Sequence, residues 1–235
     1  MNPLKPPSRR CVQMGALAAI VHTVWANTMM LPAGAQNRPN PVRPNPVRIV
    51  AFGDSLTAGY RLAPGEAFPV KLEKALRAKG LAVEIANAGV SGDTTAAGLE
   101  RLDWAIPDGT EIVILELGAN DALRGLDPAI ARPNLEAIVK RITAKGARIL
   151  LTGMHAPRNW GDDYVKRFDT IYPELAKAHN LALYPFFLEG VALRPDLNLD
   201  DGLHPNAKGV DEIVQRIAPM VERMVTERLA LGSRQ

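Results

Sequence analysis

A three-layer α/β/α domain with a doubly wound, five-stranded parallel sheet is predicted from three features of this chain. Short apolar runs alternate five times with longer segments whose apolar residues recur at helical spacing. Strand followed by helix, repeated, means parallel strands joined by helical crossovers, and a closed barrel would need eight such units. Outside an atypical N-terminal region, about 185 residues remain, a size that suits one domain with one core.

The first strand is read over 48–54, RIVAFGD, a β-branched and aromatic run that ends in Gly-Asp. Residues 66–80 have helical periodicity and stop at Gly80. A second strand follows at 81–89, a helix at 95–106, and the most apolar strand within 111–121, EIVILELGAND. Asp127-Pro128 is a cap followed by proline in the first turn, which starts a helix over 127–146. The fourth strand is 147–154, ARILLTGM, and a further helix spans 162–179. LALYPF at 181–186 supplies the fifth strand, and a terminal helix over 206–230 tolerates Pro219. In open sheets of this kind the ligand crevice lies at the carboxyl ends of the strands, where strand order reverses. For a flavodoxin-like order of 2-1-3-4-5 that point lies between strands 1 and 3, so the loops that leave them are the place to look for chemistry.

Residues 1–35 differ from the rest. Lys5, Arg9 and Arg10 make a basic start, an apolar stretch runs from Val12 to about Leu31, and Ala33-Gly34-Ala35 fits the small-x-small cleavage rule. This order predicts a signal peptide over 1–35 and a periplasmic or secreted protein. A retained membrane anchor is the competing reading. His22, Asn27 and Thr28 interrupt the stretch, whereas a spanning helix needs about 20 predominantly apolar residues. Residues 36–47 hold most of the direct repeat RPNPVRPNPVR, and its prolines favour an extended spacer before a domain over 48–235.

The leader holds three of the chain's 28 Lys and Arg and none of its 25 Asp and Glu. Beyond it the charges balance, so the basic character gives no support for a nucleic-acid partner. Cys11, the only cysteine, also lies in the leader. The remainder therefore forms no disulfide and has no lipid-attachment cysteine at the cleavage point. No stable protein partner is implied.

Ser55 stands just past the first strand, where the start of a turn or helix offers unpaired N–H groups to a developing negative charge. Asp54 and Ser55 also read as plain capping residues. After the third strand, Asn120 presents a neutral amide suited to an oxyanion, or else a turn-forming Asn-Asp pair. Gly92, after the second strand, admits a close backbone approach, or serves a tight turn. Three histidines lie in the domain. His179 reads as a C-terminal cap, and His155 lacks an obvious acidic partner. His204, in DDGLHPN, has Asp201 one turn away to fix its tautomer and free the other nitrogen for a serine proton. A metal site from Asp200, Asp201 and His204 is the alternative, weakened by the lack of a second histidine or cysteine nearby. The Ser55 segment is not a G-x-S-x-G elbow, and no phosphate-binding G-x-x-x-x-G-K-[ST] loop follows the first strand.

With Ser55, Gly92, Asn120 and His204 in this order, the chain resembles the SGNH hydrolases, also called GDSL esterases and lipases. The resemblance covers about 48–225 and rests on GDSLTAGY, NAGVSGDTTAAGLERL, LELGANDALRGL and DDGLHPN. Within that superfamily it is most similar to the bacterial periplasmic group of acyl-CoA thioesterases, lysophospholipases and arylesterases, a likeness that IYPELAKAHNLALYPFFLEGV strengthens. It implies the SGNH hydrolase fold and a serine esterase acting on carboxylic esters and thioesters through an acyl-enzyme. Ser55 would be the nucleophile, His204 the base and then the acid, and Asp201 its orienting carboxylate. The N–H groups of Ser55 and Gly92 and the Asn120 amide would form the oxyanion hole. Neither metal nor other cofactor is implied, and the substrates would be small acyl esters, thioesters or lysophospholipids. HAPRNWGDD, 155–163, corresponds to a variable substrate-side loop. A carbohydrate acetyl esterase would share every catalytic residue, and a non-enzymatic binding module would share the sheet.

Overall fold

The computed structural model describes residues 45–232, so the leader and all but the last three positions of the spacer lie outside the described residues. Five strands form one parallel sheet in the order β2-β1-β3-β4-β5. They are β1 (Val47–Gly53), β2 (Val83–Gly89), β3 (Ile112–Glu116), β4 (Arg148–Thr152) and β5 (Ala182–Tyr184). β1 opens one residue earlier than the sequence suggests, because Val47 is already buried and paired with Val83. All five residues of β3 are buried, as expected of a strand covered on both faces.

The long helices are α2 (Phe68–Ala78), α3 (Thr95–Ala105), α5 (Pro128–Ala144) and α8 (Ala207–Gly232). α2 packs on α8 as one layer, and α3, α5 and α7 (Ile171–His179) make another. Apolar spacing explains these contacts. Phe68, Leu72 and Leu76 of α2 and Ile213, Ile217, Val221 and Val225 of α8 recur every three or four residues, and all are buried. The caps are local. Asp127 Oδ1 accepts the Ala129 N–H at 3.0 Å, and Asn206 Oδ1 accepts those of Lys208 and Gly209, both at 3.0 Å.

Two differences from the sequence reading have physical causes. The helix expected over 162–179 is two helices, α6 (Asp162–Asp169) and α7, divided at Thr170. Pro173 has no N–H to give to the Asp169 carbonyl four residues back, and its ring crowds that oxygen. Short helices also form directly at two strand ends, α1 (Ser55–Ala58) and α4 (Ala119–Leu123). Four or five residues are too few to show periodicity, so α4 reads in the sequence as loop.

Register places the site. Gly53 of β1 is level with Gly89 of β2 and with Glu116 of β3. The three loops that follow therefore leave from one line, at the point where strand order reverses.

Candidate active site

The turn from β1 into α1 is tightly built. A Cβ on Gly53 would lie 2.2 Å from Thr57 Oγ1 and 2.5 Å from Glu116 Oε2, so any other residue would push this turn off β3. Asp54 caps α1 by accepting the Leu56 N–H on Oδ1 at 3.0 Å. The capping reading of this segment is thus correct for Asp54. Ser55 does something else: its Oγ lies 2.9 Å from His204 Nε2, across 149 positions of sequence.

The loop after β5 supplies the partner. His204 Nδ1 lies 2.8 Å from Asp201 Oδ2, while Asp201 Oδ1 accepts the N–H groups of Leu203 at 2.9 Å and of His204 at 3.0 Å. Gly202 has φ +69, a left-handed conformation that lets the loop double back within three residues. Partial burial raises the Asp201 pKa, but the His204 and Leu203 N–H groups and the imidazole outweigh it and bring the pKa to about 2. An Asp201 ionised at neutral pH holds Nδ1–H, so Nε2 faces Ser55 as the acceptor. Tyr60 leans on the same imidazole, with ring centroids 4.5 Å apart.

Gly92 and Asn120 stand on the neighbouring loops. Gly92 has φ +89, which few side chains tolerate, and its carbonyl accepts from Arg124 Nη2 at 2.7 Å. Asn120 Nδ2 donates to Asp54 Oδ2 at 3.1 Å, which leaves its second amide hydrogen over. The next residue points elsewhere, since Asp121 accepts the Thr95 N–H at 2.8 Å and the Thr95 hydroxyl at 2.7 Å. Asn-Asp is therefore no simple turn pair. One side chain ties α4 to α1, the other ties it to α3.

Groups that the sequence did not reveal hold this arrangement from below. Arg101 of α3 is buried, pairs with Asp93, and donates to the carbonyls of Ala88 at 2.9 Å and Gly53 at 2.8 Å. It thereby fastens the ends of β1 and β2 to the residue after Gly92. Removal of Arg101 would leave the nearly buried Asp93 without its ion-pair partner, so Arg101→Ala is expected to lower unfolding free energy by ~3–5 kcal/mol. Urea unfolding of the variant checks this, and a loss below ~1 kcal/mol would place the pair with exposed ones.

Glu116 is the second hidden group. It is fully buried, and its Oε2 accepts the Asp54 N–H at 3.2 Å and the Thr57 hydroxyl at 2.8 Å. Burial raises both acids, Glu116 well above the ordinary carboxylate range, with the negative Asp54 adding to the rise. For Asp54, bonds from Leu56, Glu116 and Asn120 offset part of the burial and leave a pKa of about 6. Two buried carboxyls close enough to oppose each other's charge behave in this way.

The other candidates are placed differently. His155 does have an acidic partner, Asp169 of α6, with Nδ1 to Oδ2 at 3.2 Å. That residue closes α6, which the sequence reading had merged with α7 into one longer helix. His179 closes α7, but its Nε2 faces Glu136 of α5 at 3.7 Å, a link between helices in place of the expected cap. Asp200 pairs with Arg61 at 2.7 Å, away from the Asp201–His204 contact. Among the described residues no group of three or more His, Cys, Asp or Glu side chains is arranged for a metal ion, so the triple of Asp200, Asp201 and His204 is not one.

Comparisons with known proteins agree with this geometry. Residues 51–211 match the model of the GDSL-like lipase/acylhydrolase family. An arylesterase of Vibrio mimicus is 38% identical over 172 residues, 73% of this chain and 86% of the relative. A protein of Escherichia coli strain K12 named thioesterase 1/protease 1/lysophospholipase L1 is 37% identical over 178 residues, 75% of this chain and 84% of its own length. The crystal structure of AlinE4, described as an SGNH-hydrolase family esterase, superposes with a TM-score of 0.65 at 52% identity, covering 76% of this chain and 96% of that one.

Proposed function

Since the chain belongs to the GDSL-like lipase/acylhydrolase family and is a serine hydrolase of ester bonds, we propose that its acyl transfer runs through Ser55, His204 and Asp201. The continuous contact from Ser55 Oγ through His204 to Asp201 carries this assignment. His204 Nε2 takes the hydroxyl proton as Ser55 attacks the acyl carbonyl, and Asp201 stabilises the imidazolium that forms. His204 returns the proton to the departing alcohol or thiol and an acyl-serine remains. Water, deprotonated by the same nitrogen, then releases the acid.

The tetrahedral oxyanion needs donors that are not already paired. Neither the Ser55 N–H nor the Gly92 N–H has an acceptor among the described residues, and Asn120 keeps one amide hydrogen. These three support the proposed oxyanion hole. Asn120 is neutral, so it gains most as charge develops on the oxygen.

Acyl chains are the substrate portion that the rim favours. The segments that leave the carboxyl edge of the sheet expose large apolar side chains: Tyr60, Val90, Leu123 and Trp160 after β1 to β4 in turn, and Leu193 and Leu203 after β5. Exposed apolar groups gathered on one edge favour a hydrophobic ligand. This supports thioester, lysophospholipid and aryl ester substrates of the kinds named for the relatives. Among the described residues no helix is long and apolar enough to cross a membrane. From the basic, apolar and small-residue order of 1–35, we take the chain to be exported and to act outside the cytoplasm.

A panel of nitrophenyl esters and acyl-CoAs of increasing chain length tests the substrate class. Activity on both leaving groups, with kcat/KM rising beyond acetyl, is expected. Hydrolysis of acetylated xylan with no activity on longer chains would instead make the chain a glycan deacetylase.

A further inference from the structure

The mechanism above assigns nothing to Glu116, although a buried carboxyl in the middle strand of a sheet is costly. Its surroundings show what it does. Glu116 ends β3, three residues before α4 begins at Ala119 and level with Gly53. Its Oε2 is fixed by the Asp54 N–H and the Thr57 hydroxyl, but its Oε1 is buried with no hydrogen-bond partner among the described residues. An ionised carboxylate there would have one oxygen without a donor and a second carboxylate, Asp54, beside it. A neutral carboxyl resolves both problems, because its proton can be given to Asp54, the residue whose N–H already meets Oε2. Gly53 keeps the space for this contact open.

The Asp54 carboxylate then has three donors. Leu56 N–H and Asn120 Nδ2 meet its two oxygens, and Glu116 completes the set. Loss of the third donor would free Asp54 to turn, and Asn120 would turn with it. We propose that Glu116 is a positioning residue for acyl transfer, a neutral buried carboxyl that holds Asp54 and through it aims the Asn120 amide at the oxyanion beside Ser55. This rests on the assignment of Asn120 to the oxyanion hole.

A double-mutant cycle on nitrophenyl ester hydrolysis separates positioning from general structural support. Glu116→Ala is expected to lower kcat ~10–10²-fold with KM nearly unchanged, the size of effect a displaced catalytic group produces. Asn120→Ala is expected to lower kcat ~10²–10³-fold. If Glu116 works through Asn120, its removal from the Asn120→Ala enzyme changes kcat less than ~3-fold, whereas independent effects would multiply. Glu116→Gln, which keeps a neutral donor of the same shape, rescues kcat to within ~10-fold of the parent. It also abolishes an infrared band of a protonated carboxylic acid at neutral pH.

Multiplying losses in the cycle, or a Gln variant as impaired as the Ala variant, overturns the proposal. So does an infrared spectrum that Glu116→Gln leaves unaltered. Should Glu116→Ala fail to fold, the Gln variant and the spectrum decide. An Asn120→Ala enzyme with unchanged kcat would remove the oxyanion assignment itself, a result distinct from any of these.

Discussion

Ser55→Ala is expected to lower kcat at least ~10³-fold and to leave the fold intact. The second half of that expectation comes from the contacts. Ser55 Oγ has one partner, His204 Nε2, so truncation removes no bond from the β1–α1 turn. Asp54 still caps α1, and alanine is a good first helical residue. Without a nucleophile the donors that face the oxyanion remain, and they alone sustain a residual rate above that in water. The test pairs steady-state kcat on a nitrophenyl ester with intact-mass analysis after a fluorophosphonate. The parent should gain one adduct and the variant none. A variant that keeps more than about a tenth of the parent kcat would remove Ser55 from the chemistry, whatever its distance to His204.

The sequence disclosed what depends on neighbours in the chain. Alternating periodicity gives five strands, helical crossovers make them parallel, and the flavodoxin-like order taken for such a sheet is the one observed. Asp201 and His204 are three residues apart, so their contact is a property of one loop and can be read there. Gly92 and Gly202 take positive φ, for which glycine is the usual signal. What escaped was set by tertiary packing. Glu116 follows four apolar residues, but nothing local says that Asp54, just past the end of the neighbouring strand, meets it. Arg101 looks like one more polar residue on a helix, and only the folded layers put it beside Asp93 and Gly53. A charged residue inside an otherwise apolar run, as in EIVILELGAND, is the signal that could have marked Glu116 for attention.

The most discriminating substitution is the smallest one. Asp201→Asn is expected to lower kcat by ~10³–10⁴-fold while preserving the loop, because it replaces a charged acceptor oxygen by a neutral NH₂ donor with almost no change of shape. Oδ1 of residue 201 accepts two backbone N–H groups, from Leu203 and His204. An asparagine must keep its oxygen there, since its NH₂ would oppose two donors, so the NH₂ is turned to His204 Nδ1. Nδ1 then becomes an acceptor and the ring proton moves to Nε2, 2.9 Å from Ser55 Oγ. That nitrogen can no longer take the hydroxyl proton. Asp201→Ala differs by also releasing both backbone N–H groups, so it should melt at a lower temperature than the Asn variant with no better kcat. Acid titration gives an independent check. The Asp201 pKa is depressed to about 2, so its contribution to stability is complete above the unfolded value near ~3.9 and disappears as pH falls through about 2. The parent should therefore lose more stability than the Asn variant between about pH 4 and pH 2. An Asn variant within about tenfold of the parent kcat would show that the tautomer of His204 does not govern the reaction.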